Sequence, residues 1–264
     1  MKDFKERVII ALDYDDLSSI RRLVERLKGE AYFYKIGSEA FTSCGINGID
    51  LIKDCGGKIF LDLKFHDIPN TVYRAVKSAG KLGVDIINVH ASGGVNMMRA
   101  AKRGAEEASN ITGKNIDVIA VTVLTNLSDA DINRIFYNFE DENNASGGLG
   151  RNIVSDLALH LAKSAKISGL DGVVCSGHES LRIKNILGGD FKTITPGIRL
   201  KSFNDKNIDA AKTTPMDDQK RVMTPSAAFN SGADYIVVGR EITAAANPAD
   251  ALQNIYYDIE NNCK

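Results

Sequence analysis

Short apolar runs recur along the chain, and stretches with apolar residues three and four apart lie between them. The runs at 8–12, 31–36, 58–63, 86–90, 118–124, 172–175, 193–195 and 235–238 are mostly apolar on both faces. Strands of a parallel sheet covered on each side read this way. Helical spacing fills 16–28, where Leu17, Ile20, Leu23, Val24 and Leu27 share a face, Asp15 or Asp16 can cap and Gly29 can stop the helix. Further helices are predicted over 39–55 (less regular and broken), 70–82, 95–108, 153–166, 225–231 and 248–259. Eight strands alternating with helices predict an α/β fold, a closed (β/α)8 or TIM barrel, as a single domain over 1–264. An open doubly wound sheet is the alternative, but no GxGxxG follows the first strand. Two stretches are too long for simple connections, 126–150 and 201–220. Both follow strand C-termini, the face on which a barrel builds its site, so each is expected to be a lid or an insertion there.

The third run carries the densest charge, in KIFLDLKFHDIPNT at 58–71. Ile59, Phe60, Leu61 and Leu63 make a buried strand, and Asp62 and Lys64, two apart, should face one side of it. Asp67 follows in the loop, and Pro69 has no N–H for a ladder. An acid and a base on a core strand are unfavourable unless they neutralise each other, so the pair is either a buried brace or a site. Other polar residues converge on the same end of the barrel: Asp13, Lys35, Asn88, His90, Thr122 and Thr125 at the first five strands, Gly197 and Arg199 in TPGIR, Gly239 and Arg240 in VVGR. Glycine turns let backbone N–H groups approach an anion, and an arginine adds bidentate hydrogen bonds. The last two loops of a barrel commonly hold phosphate, so phosphate binding is expected there. His66, His90 and His178 are read as packing, rim or cap residues, and Cys175 as a small buried residue with no base beside it.

The formal net charge of −1 gives no reason to expect nucleic acid or an anionic membrane as partner. Four scattered cysteines without a CxxC pair suit reduced thiols and a cytoplasmic protein better than a disulfide framework or a zinc site. The N-terminal VIIAL run is cut by Asp13, too short for a leader, and no apolar run reaches membrane-spanning length. No HExxH, nucleophile elbow or Walker A motif occurs.

DLKFHDIPNTV, together with ALD, YKIG, VTVLT, TPGIR and VVGR in the same order over nearly the whole chain, resembles the orotidine 5′-phosphate decarboxylase family. The DxKxxDIPNTV stretch is highly specific, and the other motifs support it. The resemblance implies decarboxylation of orotidine 5′-monophosphate to uridine 5′-monophosphate without metal or organic cofactor, in a homodimer with shared sites. It implies ribose contacts from Asp13 and Lys35, and a charge network of Lys35, Asp62, Lys64 and the partner subunit's Asp67. Lys64 would donate a proton to C6 and Thr125 would lie by the pyrimidine. Ile68 of the partner subunit and Thr71 of the partner subunit would close the site, and Arg199, Gln219, Gly239 and Arg240 would hold the phosphate. The chain departs from shorter members in an insert near 138–150 and a long loop before Gln219, although DDQKRVMTP keeps the Q-x-R-V-x-TP spacing.

Two other functions compete. A magnesium-dependent lyase resembling hexulose-phosphate synthase shares the DxKxxD stretch, but those enzymes resemble one another in a metal-binding Glu where this chain has Lys35. A cation there would repel a divalent metal. A phosphate-binding sensor barrel would have no use for a proton donor. Asp67 has left the strand's alternation, so it can project across a two-fold axis rather than back to its own Lys64.

Overall fold

The computed structural model describes residues 4–136, 152–200 and 221–263. Eight parallel strands close in chain order: β1 (Val8–Ala11), β2 (Phe33–Gly37), β3 (Lys58–Phe65), β4 (Ile86–His90), β5 (Asp117–Val121), β6 (Gly172–Val174), β7 (Lys192–Thr195) and β8 (Tyr235–Val238), with β8 pairing back onto β1. This is the expected (β/α)8 barrel. Around it lie α1 (Leu17–Arg26), α2 (Ser38–Cys44), α3 (Ile46–Asp54), α4 (Pro69–Gly80), α5 (Gly94–Thr112), α6 (Asp129–Phe136), α7 (Ile153–Ile167), α8 (Gly177–Leu187), α9 (Pro225–Asn230), α10 (Arg240–Thr243) and α11 (Pro248–Asn262).

Strand alternation divides the core in two. Ile10, Tyr34, Ile36, Ile59, Leu61, Ile87 and Val118 point outward and pack under the helices. Ile9, Phe33, Phe60, Ile86, Ile119, Ile194 and Val237 belong to a separate cluster that plugs the barrel. Burying both faces is why the strands read as near-continuous apolar runs.

Local signals set most boundaries. The Asp16 carboxylate accepts the Ser19 N–H at 2.9 Å and caps α1. Pro69 opens α4, where its missing N–H leaves nothing unsatisfied. The helix expected over 39–55 is split into α2 and α3 at Gly45, whose φ of 57° needs no Cβ. Three readings are corrected. The fifth strand ends at Val121 and leaves Val123–Thr125 for the rim. The 126–150 stretch contains α6; of the rest, 137–150 lies outside the described residues, as does 201–220. The helix start expected near His178 opens a full helix, α8, after β6, whose extent was not predicted; its start is a capping box in which the Ser176 N–H donates to Glu179 Oε2 at 2.7 Å.

At the N-terminal end of the barrel one arrangement occurs three times. Asp85, Asp171 and Asp234 each precede an even-numbered strand and follow a left-handed glycine by two positions: Gly83, Gly169 and Gly232, with φ of 80°, 81° and 87°. Each carboxylate accepts the N–H of the second residue of the preceding strand: Ile59 at 2.7 Å, Val118 at 2.7 Å, Thr193 at 2.8 Å. Each aspartate N–H donates back to that residue's carbonyl. A lysine then neutralises each carboxylate: Lys114, Lys102 and Lys184 respectively.

Candidate active site

The alternation that builds the plug also builds the site. Counting two residues on from Ala11, Phe33, Phe60 and Ile86 leads to Asp13, Lys35, Asp62 and Asn88. A polar layer therefore sits on the apolar one, at the C-terminal mouth. Above it opens a cavity of ≈ 620 Å³, whose lining includes Asp13, Lys35, Asp62, Lys64, Thr125, Gly197, Arg199, Gly239 and Arg240.

The charges alternate along neighbouring strands. Lys35 Nζ lies 2.9 Å from Asp13 Oδ1 and 3.4 Å from Asp62 Oδ2, and Lys64 Nζ lies 2.7 Å from Asp62 Oδ1. Burial pulls the Lys35 ammonium down, but Asp62 and Asp13 together outweigh it and hold its pKa above the usual lysine value. Gly37 leaves room for this cation, since a Cβ there would stand 2.9 Å from Lys35 Nζ.

Asp62 and Lys64 meet, but not by the regular alternation expected. Leu61 pairs with Ile87 and Phe65 with Val89, so Asp62, Leu63 and Lys64 stand opposite Asn88 alone. β3 bulges there, and Lys64 takes a φ of 51°, a left-handed conformation that costs a side-chain-bearing residue about 1–2 kcal/mol. Strain of this kind persists only where its surroundings enforce it. The Lys64 N–H donates to Asn88 Oδ1 at 2.8 Å, and Asn88 Nδ2 donates to Asp62 Oδ1 at 2.6 Å.

The structure brings together every expected site residue that it describes except three. Asp67, Ile68 and Thr71 are exposed on the rim and do not line the cavity. The Asp67 carboxylate accepts the N–H of Ile68 at 2.6 Å and forms no ion pair among the described residues, and Ile68 is 68% exposed. Gln219 lies outside the described residues. Arg199 stands on the loop after β7 and Arg240 opens α10 after β8, and Arg199 Nε lies 3.5 Å from Glu241 Oε1.

The residues denied chemistry fit that reading. His90 packs on His66 with ring centroids 5.4 Å apart, and burial, His66 and Lys64 push its pKa down. Burial pushes the Cys175 thiol up to about 12, so it is no nucleophile near neutral pH. Two structural contributors had no assigned role. Asn88 is wholly buried, and an amide inside IINVH was the signal for it. Arg221 pairs with buried Glu179 and donates to the Leu124 carbonyl at 3.3 Å, tying the chain before α9 to the rim after β5. Its signal was the S-x-x-E box at Ser176, which demands a partner for the glutamate's second oxygen.

A charged, cavity-lining layer at the C-terminal mouth of a (β/α)8 barrel defines a class: barrel enzymes that build their site on that face. A family model, Orotidine 5′-phosphate decarboxylase / HUMPS family, matches residues 6–255, and the chain belongs to that family. It is 43% identical over 255 residues to an orotidine 5′-phosphate decarboxylase of Carboxydothermus hydrogenoformans, covering 97% of this chain and 96% of that one. It is 44% identical over 252 residues to the enzyme of that name from Saccharophagus degradans, covering 94% and 93%. The crystal structure of orotidine 5′-phosphate decarboxylase from Lactobacillus acidophilus superposes with a TM-score of 0.75 at 35% identity, covering 96% of this chain and 99% of that one.

Proposed function

We propose that this chain carries out the reaction for which its relatives are named, the conversion of orotidine 5′-monophosphate to uridine 5′-monophosphate and carbon dioxide. The observation that carries the reading is Lys64 Nζ held 2.7 Å from Asp62 at the cavity floor, within the DxKxxD stretch. Breaking the bond between C6 and the carboxylate leaves the electron pair on an sp² carbon, where the ring cannot delocalise it. Covalent help is scarce, so stabilisation has to come from fixed charge and fixed geometry. The Lys64 ammonium faces the developing carbanion and delivers one N–H proton to C6, and the amine then recovers a proton from solvent. Asp62 holds the ammonium in place and lies near the departing carboxylate.

The remaining roles are those the family resemblance implies. Asp13 and Lys35 bind the ribose hydroxyls, Thr125 adjoins the pyrimidine, and Arg199, Gln219, Gly239 and Arg240 hold the phosphate. Remote phosphate contacts orient the ring for a step that happens at the other end of the substrate. No metal ion is required, because the cation Lys35 occupies the place beside Asp62 that an acidic ligand would need. The chain works as one barrel domain in the cytoplasm, without nucleic acid. Of the described residues, no helix is long and apolar enough to cross a membrane.

The active unit is a homodimer in which Asp67, Ile68 and Thr71 complete the site of the other copy. Their exposure on the rim, and an Asp67 that forms no ion pair among the described residues, support this. Mixing Lys64→Ala with Asp67→Ala subunits should then restore about a quarter of parental activity, since half the dimers are mixed and each has one intact site. With exchange confirmed, no recovery would mean that Asp67 serves its own chain.

The experiment that tests the function is turnover of orotidine 5′-monophosphate by the purified chain in excess chelator, followed by pyrimidine absorbance. Full activity is expected. Activity lost to chelator and restored by magnesium would overturn the metal-free reading, and no turnover in either condition would favour the hexulose-phosphate synthase-like lyase or the sensor.

A further inference from the structure

We propose that Asn88 is a positioning residue for the proton donor: its side chain holds the backbone of Lys64 in the left-handed conformation that keeps the ammonium on Asp62 and in the cavity. The inference deepens the reading of Lys64 given above and rests on it.

Asn88 lies on β4 opposite the β3 bulge and is 0% exposed, so no solvent competes for its amide. Its orientation is fixed by its partners. The Lys64 N–H can only donate, at 2.8 Å, and the Asp62 carboxylate accepts, at 2.6 Å. The oxygen therefore faces Lys64 and the nitrogen faces Asp62. One amide thus clamps both members of the Asp62–Lys64 pair, the backbone of one and the carboxylate of the other.

The bulge creates the need for this clamp. With three residues of β3 opposite one of β4, the Lys64 N–H has no regular ladder partner. A buried N–H left unpaired costs about 1–3 kcal/mol, and the left-handed φ adds to that. Without Asn88 both penalties would be relieved by returning Lys64 to extended backbone. That rotation would turn the side chain away from the place where the proton is needed. Alanine offers neither group, and aspartate offers an acceptor to the Lys64 N–H but no donor to Asp62.

The test compares Asn88→Ala and Asn88→Asp with the parent enzyme. The readouts are kcat, KM, affinity for uridine 5′-monophosphate and the pH dependence of kcat. Asn88→Ala should lose about a hundredfold in kcat, the scale of a misplacement near 1 Å, while KM and product affinity stay within roughly threefold. Asn88→Asp should be poor at about pH 8 and should recover relative to the parent as pH falls. Two facing carboxylates take up a shared proton more readily than one alone, and the protonated oxygen restores the missing donor. A role confined to stability would lower the yield of folded enzyme but leave kcat per folded site and its pH profile unchanged. Parental kcat in Asn88→Ala, or a flat ratio of Asn88→Asp to parent across pH, would overturn the proposal. If the alanine variant does not fold, the near-isosteric aspartate variant decides alone. Turnover surviving in Lys64→Ala would instead sink the proton-donor reading, a result the Asn88 variants cannot mimic.

Discussion

The two ends of this barrel use the same residue types to opposite effect. At the N-terminal end, Asp85, Asp171 and Asp234 each take a backbone N–H and a lysine. At the C-terminal mouth, the partners of Asp62 are side chains: Lys64, Lys35 and Asn88. A carboxylate bound to a strand N–H is fixed by the backbone and fixes it in return. One shared among side chains leaves their ammonium groups lining a cavity. Charge in a barrel is therefore structural or functional according to what else the carboxylate binds, and its sign and burial alone do not distinguish the two. Nor is the strain evenly distributed. The left-handed positions of the N-terminal braces are glycines, whereas at the mouth a lysine adopts one.

The comparison can be broken from either end. At the mouth, Arg240→Ala should lower kcat/KM for the nucleotide by about two to three orders of magnitude, with a much smaller loss for the phosphate-free nucleoside. Equal losses for both substrates would make Arg240 structural. At the base the expectation reverses. Asp171→Ala should cost about 2 kcal/mol and lower the thermal midpoint by roughly 5 °C, while kcat per folded enzyme stays within about twofold. A large fall in kcat there would erase the distinction between the ends. The smallest effect concerns Cys175, which borders the cavity but is buried and held as a thiol. Iodoacetamide at about pH 8 should leave it unmodified in the folded protein and modify it on unfolding, as read by peptide mass.

The barrel was legible because strands buried on both faces leave unbroken apolar runs and their helices leave periodic ones. The mouth was legible as polar residues ending those runs, since a charge on a core strand is unfavourable without a use. Other features depend on pairing between distant strands and leave weaker traces. The bulge arises from the register of β3 against β4, so neither the left-handed Lys64 nor the clamp by Asn88 could be read from local alternation. The braces did leave a trace, in the tripeptides GVD, GLD and GAD ahead of β4, β6 and β8, but each alone looks like an ordinary strand start. Of α8 only the start near His178 was legible, in SGHES, because its hydrophobic periodicity is shallow. Asp67, Ile68 and Thr71 were grouped with the site by resemblance, and the single chain leaves them on the rim.

The central claim is that Lys64 supplies charge and proton at the mouth, and the Lys64→Ala variant tests it most directly. Its kcat on orotidine 5′-monophosphate should fall by at least about four orders of magnitude, while uridine 5′-monophosphate still binds and the thermal midpoint stays near that of the parent. A folded Lys64→Ala enzyme retaining about a tenth of parental turnover would contradict the account.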